Sequence, residues 1–487
     1  MFNGQNNLRI GGGAGASSMH PVVLIWLLIA ILLIFVLPRK YVIVPILVTL
    51  FLTPFGQQVY IAGAHMFLSR FLILSGWIRL RKDKAQLRGG AQRFNAIERV
   101  FICWAICRAA ATFLEFLQVQ AVVTELGFLL DSLGGFFLFR SLIRTEEDVA
   151  RVIKVFAWIV SIMGVTMAYE HVRDLNVFGF IGAPLIPMVR EGAIRAQATF
   201  ETPIAAGTFG ATSSCLFLWL WRSRRATKLA IAALLGSVLM VFGSASSTPV
   251  MGLFAGIFAV SFWGLRRHTR AMRWGLGILL VLLHLVMKAP VWMLINHVTV
   301  VGGNSAYHRA MLIDQFVRHF GDWWLIGIQS TRDWGWDMWD QANQFVWEGE
   351  SGGLITFICF ILLVSWSFGR LGTARKRSRG EPTAEWLLWF LGCSLFAYVV
   401  AFFGISLSDQ LVWSWYVLLA MICAATASDF AQKASIGADR TTRPVESQSA
   451  YLDEALNAEA QRLSLASKSG GARTICLTTA ISSLCCH

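Results

Sequence analysis

At 487 residues, 56% hydrophobic and only 14% charged, with a mean hydropathy of +0.59, the chain is far too apolar for a soluble protein of its size. A formal net charge of +14 would suit nucleic acid, but most Lys and Arg residues sit in short clusters between apolar runs, where orientation signals belong. Soluble enzymes and nucleic-acid-binding proteins are thereby excluded, and the expectation is an all-α, polytopic membrane protein whose basic segments also meet membrane lipids.

The first twenty residues are Gly-rich and carry Arg9 as their one basic group, so 1–20 reads as a flexible tail rather than a cleaved signal peptide. GGGAGASS at 11–18 lacks the Lys-Ser/Thr ending of a phosphate loop. Apolar runs of spanning length follow at 21–37, 41–55, 59–78, 97–118, 121–142, 152–170, 203–221, 228–244, 249–265, 273–290, 353–369, 386–405 and 411–428. Twelve or thirteen transmembrane helices are therefore expected, the first two being short and interrupted by Pro38 and Pro45.

Charge alternates between the connections. Arg39–Lys40, 79–93, 144–154, 222–228, 266–273 and 370–379 are basic, whereas 55–58, 118–120, 244–249 and 406–410 contain no Lys or Arg. With the basic side cytoplasmic, thirteen spans put the amino terminus outside, the carboxyl end inside, and both long polar loops, 171–202 and 291–352, on the outer face. The membrane domain is expected over 21–430, and 431–487 reads as a largely disordered cytoplasmic tail with one short helix at 451–466. The nine cysteines are scattered and form no CxxC pair.

Six arginines (Arg173, Arg190, Arg195, Arg309, Arg318, Arg332) then fall on the face where the orientation rule disfavours positive charge. Each needs a local acid or an anionic ligand. Arg70, Arg108, Glu115, Glu125 and Asp131 fall inside expected spans, where an uncompensated charge costs roughly 2.5 to 3.5 kcal/mol on the insertion scale, so pairing such as Arg108 with an acid of the next span is expected. His65 and His284 read as intramembrane core residues.

The long loop 291–352 is the one place where arginines, acids and tryptophans crowd together outside the spans. Asn304 and Ser305 suit the cap of a helix from Ala306 to Phe320, with Ala306, Ala310, Ile313, Val317 and Phe320 on an apolar face. His308, Arg309, Gln315 and His319 lie off that stripe, so a helix resting on the membrane would lift Arg309 toward a ligand above it. Trp334, Trp336, Trp339 and Trp347 suit either an interfacial belt or platforms for sugar rings. Asp333, Asp337 and Asp340 have helical spacing; as a metal site the set is weak, and one of them remains a candidate general base.

NSAYHR at 304–309, WWLIGIQS at 323–330 and WDQANQFVWEGESGGLITF at 339–357 resemble the signature loop and following span of the O-antigen ligase and polymerase superfamily of membrane glycosyltransferases. REGAIRAQATFETPIAAGTFGA at 190–211 is similar to that family's arginine-bearing approach to a central span. The resemblance implies a sugar chain on a polyprenyl diphosphate at the outer face of a bacterial inner membrane. It implies transfer to a glycan or lipid acceptor in cell-surface polysaccharide assembly, without cofactor or essential metal and beside other glycan-assembly proteins. Arg195 and Arg309 match the arginines near the diphosphate; Arg190, His308 and Trp339 join the substrate-binding set, and Asp340 and Asn343 join Arg309 in the catalytic one. Ala342 stands where ligases of the family carry a histidine before the Asn, so a polymerase fits as well as a ligase. The rival class is a transporter or flippase of a lipid-linked or polar substrate.

Overall fold

The computed structural model describes residues 17–61, 64–82, 94–297, 305–339 and 342–427. The expected helix at 451–466, like the rest of the carboxyl-terminal tail, lies outside the described residues, as does nearly all of the amino-terminal one. The described chain is all-α apart from two short hairpins. In order, the helices are α1 (Pro21–Val36), α2 (Ile43–Leu52), α3 (Leu68–Lys82), α4 (Ala96–Phe116), α5 (Val119–Leu142), α6 (Glu146–Arg173), α7 (Pro203–Arg222), α8 (Thr227–Gly243), α9 (Ser247–Ser261), α10 (Thr269–Val286), α11 (Ser305–Arg318), α12 (Gln344–Arg377), α13 (Pro382–Ala401) and α14 (Asp409–Ala425). All but α11 coincide with an expected apolar run. Among the described residues, six helices are both long and apolar enough to cross a membrane.

The helix starts follow from capping chemistry. Asn95 with Glu98 and Thr145 with Asp148 form reciprocal capping boxes that begin α4 and α6, and Thr202 followed by Pro203 begins α7. Helix α5 carries a π-helical turn at Leu130–Gly134, and α12 kinks at Gly353, whose φ of 71° suits glycine.

The third apolar run departs from expectation. Gln58–Ile61 (β1) and Ala64–Phe67 (β2) pair as an antiparallel hairpin, and the helix begins only at Leu68. His65 is therefore a hairpin residue beside the Tyr60 ring, not an intramembrane helical one. Pro54 and Gly56 break the backbone before this stretch, and Val59, Tyr60 and Ile61 favour extended structure, a preference that mean hydropathy does not see.

Helix α7 is the axis of the bundle. It packs against α8, α9 and α13, and most of its spanning window is buried. Phe209 on α7 stacks on Phe51 of α2 at 4.6 Å. Helices α6 and α8 meet through Gly164 and Gly236, where a Cβ on either residue would collide with the backbone of the other helix.

The connections free of Lys and Arg gather at one end of the bundle. Phe55 donates its amide to the Thr199 carbonyl, Gln410 donates to the carbonyls of Thr53 and Thr199, and Gln329 donates to the Glu115 carbonyl. The basic connections pair among themselves at the other helix ends, with Arg39 donating to the Ser141 carbonyl and Arg266 bound to Glu385 at 3.0 Å.

Candidate functional site

Both long polar loops converge on Ser244–Thr248, the short connection after α8 together with the first residues of α9. The hairpin Met188–Arg190 (β3) and Ala193–Arg195 (β4) delivers Arg195, and the next residue, Ala196, donates its amide to the Gly243 carbonyl. Arg195 is 6% exposed; its Nε donates to the Ser244 carbonyl at 3.3 Å and its Nη1 approaches Met188 Sδ at 3.9 Å. No carboxylate among the described residues forms an ion pair with it. Burial, and then the charge of Arg190, push its guanidinium below the usual arginine range.

The loop behind Arg195 is held by Glu170, at the end of α6. This buried carboxylate accepts from the backbone N–H groups of Gln197 at 3.1 Å and Ala198 at 2.9 Å, while Asn176 donates to the Ala198 carbonyl.

Arg309 approaches the same stretch from α11. It is buried, its Nη2 donates to Thr248 Oγ1 at 2.8 Å, and it packs against Gly404, where a Cβ would lie 3.1 Å from its Cζ. This corrects the surface-helix expectation. The inward face of α11 carries Ala306, Arg309, Ala310, Leu312 and Phe316, whereas Val317 and Phe320 are exposed. The helix packs on protein, with Phe316 stacked on Trp323 at 4.0 Å, and Arg309 points into that packing.

The remaining expected residues are distributed as follows. Arg190 is exposed on the β3–β4 hairpin, where it pairs with Ala193, two residues before the buried Arg195. His308 Nε2 lies 2.8 Å from the Asp337 carbonyl, and Trp339 is largely exposed. Asn343 is buried and caps α12, its Oδ1 accepting from the amides of Phe345 and Val346. Asp340 lies outside the described residues. Asp333 sits in a short 3-10 turn and Asp337 has a φ of 62°, so the two do not share the helical face that their spacing suggested. Arg318 is paired with Asp314 at 2.6 Å.

A cavity of about 350 Å³ lies beyond the Gly404–Gln410 connection, at the same end of the bundle. Neither Arg195 nor Arg309 lines it. Its polar lining includes Arg70, Arg108, Asp131, Gln344, Asp409 and Gln410, with Trp104, Phe128, Trp413 and Tyr416 among its aromatic walls. Arg70 and Asp131 form an ion pair at 2.9 Å, which accounts for two of the charges inside expected spans. Arg108 forms no ion pair within 4.0 Å among the described residues, although its charge acts on Glu125 of the next span, as expected. Its guanidinium instead lies over Phe128 at 4.3 Å and Trp347 at 5.6 Å. Gln410 Oε1 and Asp131 Oδ1 have no hydrogen-bond partner among the described residues, whereas the Asp409 carboxyl lies against that of Glu201, with Ser408 and Thr202 beside it. Sequence reasoning missed this cavity because its lining comes from six separated segments; the charges inside apolar runs were the available signal.

Fold and site together define a polytopic all-α membrane protein with a buried cationic turn and an adjoining polar cavity at one end. No family model matches the chain, and no curated protein is significantly similar to it.

Proposed function

We propose that this protein is a membrane glycosyltransferase that takes a glycan from a polyprenyl diphosphate at the outer face of the bacterial inner membrane. It polymerises or ligates that glycan during O-antigen or exopolysaccharide assembly. One observation carries the reading: two arginines more than a hundred residues apart in the chain, one from each long polar loop, are buried against the same five-residue stretch, Ser244–Thr248.

The chemistry asks for that arrangement. An acceptor hydroxyl attacks the anomeric carbon, the bond to the diphosphate breaks, and the electron pair leaves on the diphosphate. Guanidinium groups held by Ser244 and Thr248 stabilise that growing charge more than they stabilise the ground state. Arginine offers phosphate a bidentate fork that lysine lacks. The neighbouring cavity supports the same reading: unfilled acceptors on Asp131 and Gln410 want hydroxyl donors, and aromatic walls suit the C–H faces of a sugar ring. In this reading twelve or thirteen apolar segments span, counted as runs rather than as helices alone, with the amino terminus outside and the carboxyl end cytoplasmic if the count is thirteen.

The second reading, a transporter or flippase, is favoured by Arg108 and the Arg70–Asp131 pair lining an internal cavity. Glycan analysis of a deletion strain separates the two. Lipid-linked units accumulating on the outer face support the transferase; units trapped on the cytoplasmic face support the flippase and overturn it.

A further inference from the structure

At the basic end of the bundle, the connection from α9 to α10 meets the turn between α12 and α13 around a second cavity, of about 240 Å³. Arg266, Arg267, Arg375, Lys376 and Arg379 line it with Gly380 and a single acid, Glu385. Five cations therefore face one carboxylate, and that carboxylate is already bound to Arg266 at 3.0 Å. Arg375 is only 8% exposed and is anchored by its donation to the Arg266 carbonyl, so the positive lining is fixed in a built recess.

Beneath Arg266 and Arg375, next to the recess rather than lining it, lies an aromatic cluster. Trp263 stacks on Trp386 at 3.6 Å and meets Trp389 edge-on at 5.7 Å, while Arg266 and Arg375 lie over Trp263 and Trp389 at 4.1 Å and 5.4 Å. Indole rings collect at the headgroup level of a bilayer, and basic pockets between transmembrane helices hold anionic headgroups.

We infer that this recess is a binding site for the phosphate groups of an anionic phospholipid, seated with its headgroup among Arg267, Arg375, Lys376 and Arg379 and its glycerol end against the tryptophans. A neutral ligand would leave the excess positive charge uncompensated, and a headgroup with two phosphates compensates it better than one. The same phosphate chemistry is offered by soluble diphosphate, but the adjoining tryptophan cluster favours a ligand that arrives from the membrane. The inference is independent of the proposed transferase activity.

The test uses the purified full chain in nanodiscs of phosphatidylcholine, titrated with cardiolipin or with inorganic diphosphate and read by native mass spectrometry. The unaltered protein should retain cardiolipin, and the exposed-residue double variant Arg267→Glu/Arg379→Glu should bind it more than about tenfold more weakly. Arg375→Lys is the second variant, which keeps the charge but loses the fork and should weaken retention less. Equal cardiolipin retention by the charge-reversed protein overturns the site. Binding of inorganic diphosphate as tight as that of cardiolipin overturns the lipid assignment.

Discussion

Arg309 donates through Nη2 to the Thr248 hydroxyl at 2.8 Å, and that hydroxyl donates in turn to the Gly404 carbonyl at 3.1 Å. The two bonds fix the hydroxyl rotor, so one threonine ties α11, the start of α9 and the connection after α13 together. Thr248→Val keeps the shape but removes both bonds. We expect transfer from lipid-linked donor to fall about tenfold, since a hydrogen bond to a charged group is worth roughly 1.5 to 3 kcal/mol. Thr248→Ser should recover most of it; equal activity of the valine and unaltered proteins would show that Thr248 does not position Arg309.

Glu170 holds the loop of Arg195 through two backbone N–H groups, at 3.1 and 2.9 Å. Glu170→Gln leaves an acceptor on one side only and forces an N–H toward another N–H. Unfolding in detergent should show a loss of about 1 to 3 kcal/mol. A melting temperature equal to that of the unaltered protein would contradict this.

The α6–α8 contact tolerates no side chain at Gly236, where a Cβ would meet the Val160 carbonyl and the Ser161 Cα. Gly236→Leu should cost roughly 1 to 3 kcal/mol or separate the two helices. Cysteine crosslinking between α6 and α8 reads the separation directly, and unchanged crosslinking with unchanged stability would be the contrary result.

Breaking the Arg70–Asp131 pair by Asp131→Ala leaves a guanidinium in an apolar setting. Because the two side chains are 12% and 24% exposed, the expected cost is about 1 to 3 kcal/mol, below that of a fully dry pair. The double variant Arg70→Met/Asp131→Leu should be more stable than either single variant in a thermodynamic cycle.

Cysteines placed at Ser330 and Ala193, in the two long loops, should react with a membrane-impermeant reagent in intact spheroplasts. Protection of both until the membrane is opened would reverse the proposed sidedness.

Much of this architecture was legible because a bilayer imposes length on apolar runs, and each of the thirteen runs contains a helix. Residues 59–67 escaped because hydropathy averages over a window longer than a four-residue strand. The charge alternation also told which connections would meet. Thr53, Thr199 and Gln410 lie far apart in the chain yet share hydrogen bonds at the end where the connections free of Lys and Arg gather. The face of α11 was misread because a helical stripe shows which residues want burial, not whether lipid or protein buries them. Arg309 is amphipathic enough to enter a protein interior when Thr248 supplies an acceptor. The cavity was illegible as a whole, since no sequence rule places Arg108 and Asp409 in the lining of one cavity.

The most direct measurement is glycan transfer by purified, folded protein from a polyprenyl-diphosphate-linked donor, comparing Arg195→Ala, Arg309→Ala and Arg318→Ala. Arg195 and Arg309 are buried against the Ser244–Thr248 stretch, whereas Arg318 is exposed and already paired with Asp314. We expect the first two variants to lose transfer by about tenfold to a hundredfold or more, their Lys counterparts to lose less, and Arg318→Ala to match the unaltered protein. Full transfer by Arg195→Ala and Arg309→Ala, or equal damage from Arg318→Ala, would contradict a diphosphate held by this pair.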